Sequence, residues 1–150
     1  DNPRGYFEFQ AAAQLRTRRD WIPEARGKAV KIVAQLLRYL PRNQTYRFIM
    51  MERPLDEVLL SQTKMLARGE QEVASDPAAL KRVFSRQLNA VRQQLDRMSS
   101  PLMQVPFTQC IAEPLTVAER LCEFLGVEVA PATIAARVDA RLYRSGSSAE

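Results

Sequence analysis

The chain has 150 residues, 46% of them apolar and 26% charged, the size and composition of one globular domain with enough apolar residues for a real core. It contains no histidine, which excludes ordinary histidine-based acid–base catalysis and most zinc sites within these residues. Lysine plus arginine (22) outnumber aspartate plus glutamate (17), for a net charge of +5; this fits either a plain solvated basic surface or one that meets an anion.

No RNA- or DNA-reading signature accompanies the charge, so nucleic acid is not an expected partner. No apolar run approaches the roughly 20 residues needed to cross a bilayer, and Asp1 opens no signal-peptide pattern. The two cysteines, Cys110 and Cys122, are too few for a disulfide framework and have no metal-ligand companions. No metal is expected, and the reducing cytoplasm is the default compartment.

In chain order, Asn2-Pro3 and Arg4-Gly5 supply turn chemistry ahead of the aromatics Tyr6, Phe7 and Phe9. Glu8 lies between those rings. Two readings of it stand: a carboxylate whose apolar neighbours raise its pKa into the range of a general base, or a solvent-facing partner of Arg4. Gln10 to Arg19 is helix-compatible, and Trp21-Ile22-Pro23 breaks it. Ala29 to Val33 reads as a buried strand entered through Gly27-Lys28. Lys28 and Lys31 flank that strand, and Lys31 is equally readable as a snorkelling lysine at a strand edge. Leu36 to Leu40 reads as a short helix closed by Pro41.

The central stretch follows. Phe48 to Met51 is a short apolar run of the kind buried in parallel sheets. Pro54 fits a first helical position, with Asp56 and Glu57 in the favourable first turn. Leu55, Val58, Leu59, Met65 and Leu66 then recur at helical spacing, and Gly69 is the expected stop. Arg53 is thereby placed at the carboxyl end of a strand, where open α/β sheets bind ligands. Ser61 sits two helical turns further on, within reach of the same anion.

Glu70 to Asp76 reads as a polar loop. Ser75-Asp76-Pro77 reads as a helix start, and Leu80, Val83, Phe84, Val91, Leu95 and Met98 trace an apolar stripe behind it. Arg82, Arg86, Arg92 and Arg97 lie off the stripe, on a solvated face. Ser99-Ser100-Pro101 closes that helix. Leu102 to Phe107 is a further strand candidate, with Pro106 arguing for an edge or an early end. Pro114 opens a helix with Leu115, Ala118, Leu121, Cys122 and Leu125 inward and Gly126 as its terminator. Pro131 starts a last short helix, and residues 145–150 form a small polar tail expected to be disordered.

Arg53 at a strand end with Ser61 eight residues later resembles the 3′-phosphate-binding motif of sulfotransferases that use 3′-phosphoadenosine 5′-phosphosulfate (PAPS). Asn2 to Glu8, Gly27 to Ile32, Glu113-Pro114 leading to Phe124-Leu125-Gly126-Val127, and Asp139 to Arg144 resemble a bacterial branch of that family in the same order. The resemblance implies an α/β, three-layer P-loop-like fold with a small, mostly parallel sheet flanked by helices. It implies PAPS as the sulfuryl donor, bound through Arg53 and Ser61, and an acceptor substrate the sequence does not name. Lys31 matches the lysine of the family's Lys-x-His pair, but Val33 stands where the histidine would be, so Glu8 or another residue must take the acceptor's proton. The five glycines are scattered singly, and no Gly-rich phosphosulfate loop opens a helix. Residues 1–144 are therefore expected to be the C-terminal portion of one sulfotransferase-like domain, N-terminally incomplete and inactive by itself. The rival expectation is a non-catalytic basic domain that binds a partner protein or an anionic polymer.

Overall fold

The computed structural model describes residues 9–59 and 77–142. The chain divides into two compact units, Asp1–Tyr46 with Arg86–Ser100, and Arg47–Ser85 with Pro101–Glu150. Glu8, Ser61, the helix stop at Gly69, the loop over 70–76 and the tail at 145–150 lie outside the described residues.

The first unit is built largely from short turns. Helix α1 (Gln10–Ala13) lasts one turn, much less than the expected run to Arg19. Beyond it the chain continues in turns, in which Thr17 Oγ1 donates to Gln14 O at 3.3 Å and Arg19 Nε donates to Leu15 O at 3.3 Å. The chain then turns Trp21 and Ile22 into the interior. Trp21 keeps its indole N–H satisfied on Arg18 O at 3.2 Å and meets Phe9 edge-on, with ring centroids 5.2 Å apart. A 3₁₀ turn, Pro23–Ala25, is followed by Gly27 at φ +73°. The strand expected over Ala29 to Val33 does not form. Among the described residues this segment pairs with no strand, and Val33 is exposed. It leads instead into a 3₁₀ helix, Ala34–Tyr39, at the position of the expected short helix. Among the described residues of this unit, Ala12, Leu15, Trp21, Ile22, Leu40, Val91 and Leu95 are buried.

The second unit contains the sheet. Strands β1 (Phe48–Glu52) and β2 (Leu102–Pro106) pair in parallel, with Phe48 opposite Leu102 and Glu52 opposite Pro106. Between them run helix α2, described over residues 55–59, and the 22-residue helix α3 (Pro77–Met98). A parallel pair requires such a crossover. α3 starts at Pro77 and ends with Ser99 at φ 49°, both where the sequence placed them. Its inner stripe, however, takes Leu88 and leaves Val83 exposed. Arg82, Arg86, Arg92 and Arg97 face solvent as expected.

β2 ends at Pro106, and Phe107 at once begins α4 (Phe107–Ala112), a helix the sequence reading did not separate from the strand. Glu113, at φ −130° and ψ 57°, breaks it before α5 (Pro114–Leu125). α5 buries Ala118 and packs Leu121 on the core as expected, but Val117 is buried as well and Leu115 is exposed. Met103, Val105 and Val117 form the core, with Cys110, Leu121 and Phe124 packed against it. Gly126 closes α5 at φ 66°, the left-handed geometry that favours glycine. Arg47 adds to that cap by donating from Nη1 to Leu125 O, a cation on the terminal carbonyls of a helix. α6 (Pro131–Ala135) packs on α5, and a 3₁₀ turn, Ala140–Leu142, follows. Among the described residues the result is an α/β fold with a two-stranded parallel sheet and several helices, consistent with the P-loop-like fold of sulfotransferases.

Candidate functional site

Arg53 follows the last residue of β1, and Phe107 follows the last residue of β2. Because Glu52 pairs with Pro106, the two are neighbours at the carboxyl ends of parallel strands. Pro54 cannot extend the ladder and turns the chain instead. Val58 N–H donates to Pro54 O at 3.1 Å, so α2 is wound by the time Glu57 is reached. One turn separates Arg53 from Glu57, and Arg53 Nε donates to Glu57 Oε2 at 3.1 Å. The guanidinium carbon lies 4.9 Å from the centre of the Phe107 ring.

Three elements therefore hold one cation. The Arg53 and Glu57 side chains are 26% and 21% exposed, enough burial for an ion pair to escape much of the screening that weakens surface pairs. An i,i+4 ion pair contributes about 0.5 kcal/mol and a cation–π contact about 0.5–1 kcal/mol. Together they favour one orientation of the guanidinium over its alternatives by roughly tenfold. A second pair nearby, Lys81 Nζ on Asp56 Oδ1 at 2.6 Å, is 51% and 78% exposed and adds little.

Lys31 belongs to the first unit and Arg53 to the second. Lys31 is an exposed residue on the extended segment that replaces the expected strand. It borders a small apolar cavity with Phe9, Ala12, Ala13, Ile32, Val33 and Leu36, of about 30 Å³, room for a water and not for a substrate.

A larger groove of about 550 Å³ is lined by Leu102, Met103, Gln104, Arg120, Glu123 and Phe124. Its size suits a ligand, but it borders the first half of β2. Ligands of parallel sheets bind at the carboxyl ends of the strands. The cluster around Arg53 stands there, which makes it the better candidate.

Glu57 and Phe107 were missed by sequence reasoning. The i,i+4 spacing of Arg53 and Glu57 was a usable signal. Nothing in the sequence announced Phe107, whose role depends on strand register. Elsewhere, burial pushes the Cys110 thiol and the Tyr46 phenol above their ordinary pKa ranges. Tyr46 Oη donates to Pro41 O at 3.0 Å. The Arg18 hydrogen bond holds the Asp20 carboxyl below the usual range.

Among the described residues no helix is long and apolar enough to cross a membrane. Comparison with curated proteins and with solved structures found no match. A sequence model described as "Sulfotransferase family" matches residues 4–131, a span that takes in Glu8, Lys31, Arg53 and Ser61. Matched over most of its length, the chain belongs to the sulfotransferase family.

Proposed function

We propose that this domain serves sulfuryl transfer with PAPS as the donor, and that Arg53 and Ser61 bind the donor's 3′-phosphate. The observation that carries this reading is the half-buried guanidinium of Arg53, fixed by Glu57 and Phe107 at the end of the β1–β2 ladder. A planar fork of donors suits a phosphate, to which it can donate twice. Ser61 adds a hydroxyl donor. The donor, when bound, supplies the sulfuryl group; the chain's residues bind, orient and take a proton. Lys31 and Glu8 are the chain's candidates for neutralising charge in the transfer step and for taking the acceptor's proton. Positioning and electrostatics carry most of such a reaction.

These 150 residues contain no Gly-rich loop, so they bind nucleotide more readily than they turn it over. The cytoplasm is the proposed compartment, on the two free cysteines Cys110 and Cys122.

The test is calorimetric titration with adenosine 3′,5′-bisphosphate. Arg53→Ala is expected to weaken binding by about ten- to a hundredfold, the worth of charge-assisted hydrogen bonds, and Ser61→Ala by about tenfold or less. Unchanged affinity in both variants removes the assignment, and an absence of binding by the parent chain favours a non-catalytic basic domain.

A further inference from the structure

We infer that Glu57 and Phe107 are positioning residues that preset the guanidinium of Arg53 for the anion; this rests on the reading of Arg53 as a phosphate-binding group. Three facts point the same way. The register places Arg53 and Phe107 side by side at the strand ends. The arginine stacks over the ring at 4.9 Å. Its Nε is held at 3.1 Å by a carboxylate one helical turn away, and both charged side chains are about three-quarters buried.

A guanidinium on a flexible stem otherwise loses rotamer freedom when it grips an anion. Here the ring restricts it from one face, and the carboxylate directs its edge. The orientation is set before any ligand arrives. Glu57 has an opposing effect as well, since its negative charge lies near the site and repels a phosphate. The geometry points to orientation as the larger of the two, because the carboxylate engages the Nε edge and two elements converge on the same group.

The two effects are separable by substitution. Glu57→Ala removes both the acceptor and the charge, whereas Glu57→Gln removes the charge and keeps an acceptor oxygen. Preorganisation predicts that Glu57→Ala weakens adenosine 3′,5′-bisphosphate binding by about five- to tenfold, and that Glu57→Gln restores most of the loss. Phe107→Leu, which removes the ring and keeps the bulk, weakens binding by about two- to fivefold, and Phe107→Tyr restores it. Adenosine 5′-monophosphate, which has no 3′-phosphate, is the comparator. Its affinity is expected to stay within about twofold in every variant, because no lost contact belongs to its phosphate. In an Arg53→Ala background, Glu57→Ala and Phe107→Leu should add nothing further to the loss.

Tighter binding by Glu57→Ala would overturn the inference, leaving Glu57 as a competing charge. Equal losses for both nucleotides, or losses that persist without Arg53, would also overturn it, since they describe a general lesion of the fold. If Arg53→Ala itself leaves the bisphosphate affinity unchanged, the phosphate assignment fails and this inference fails with it. A loss for Arg53→Ala with none for Glu57→Ala or Phe107→Leu sinks the inference alone.

Discussion

The unit that holds Arg53 and the unit that holds Lys31 use similar amino acids to different ends. Phe48 to Met51 and Ala29 to Val33 are both short, mainly apolar runs, the first with Arg47 beside it and the second with Lys28 beside it and Lys31 within it. The first joins a parallel ladder with Leu102–Pro106; the second stays extended and unpaired with any described strand. A strand is thus less a property of its residues than of a partner in register. The consequence reaches the candidate site. Arg53 inherits a fixed place from its ladder, its helix and the neighbouring strand end, while Lys31 is exposed on a segment that pairs with no described strand.

The largest test of this contrast concerns what holds the turn-built unit together. Leu15 is fully buried, and Leu15→Ala should cost about 2–5 kcal/mol. The loss is readable as a lowered urea midpoint in the fluorescence of Trp21, the chain's one tryptophan. A loss below about 1 kcal/mol would mean that the site collapses without a cavity or was never a true core. Next comes ligand grip. Lys31→Ala should leave adenosine 3′,5′-bisphosphate affinity within about twofold, against the tenfold or greater loss expected for Arg53→Ala. Equal losses would erase the distinction between the two cations.

Smaller effects test the cap beside the ladder. Gly126→Ala meets only an ordinary contact, Arg47 Nη1 at 3.8 Å, but must hold φ near 66°. The expected cost is about 1 kcal/mol, seen as a drop of roughly 2–4 °C in Tm. The smallest effect is on pH dependence. Burial raises the Cys110 thiol's pKa, so the folded chain keeps its proton to a higher pH than the unfolded chain does. The resulting contribution is fully present below the ordinary thiol range and declines as pH rises above about 8.5. Urea midpoints should therefore fall on the alkaline side, and part of that fall should vanish in Cys110→Ala.

Much of the fold was legible because punctuation and periodicity agree. Pro54, Pro77, Pro114 and Gly126 each mark a boundary the structure keeps. What stayed hidden depends on neighbours distant in sequence. Pro106 does signal the early end of the strand candidate Leu102 to Phe107, but nothing local announces that Phe107 at once begins α4. On α5, Val117 displaced Leu115 from the inner face once the packing against Met103 and Val105 was set. At the site, Arg53's place at a strand end could be read from the sequence, but its clamp could not. Glu57 required only counting four residues, whereas Phe107 required knowing which residue of one strand lies opposite which residue of the other.

The pairing of β1 with β2 joins residues about fifty positions apart, and such non-local contacts form slowly compared with local helices and turns. Because Arg53 and Phe107 meet only through that pairing, the capacity to bind an anion should be among the last properties to return on refolding from urea. Trp21 fluorescence should recover earlier, since its contacts with Phe9 and Arg18 are local in the chain. A nucleotide that binds only the finished ladder would then raise the thermal midpoint in proportion to the logarithm of its concentration, so a metabolite would act as the domain's final folding partner.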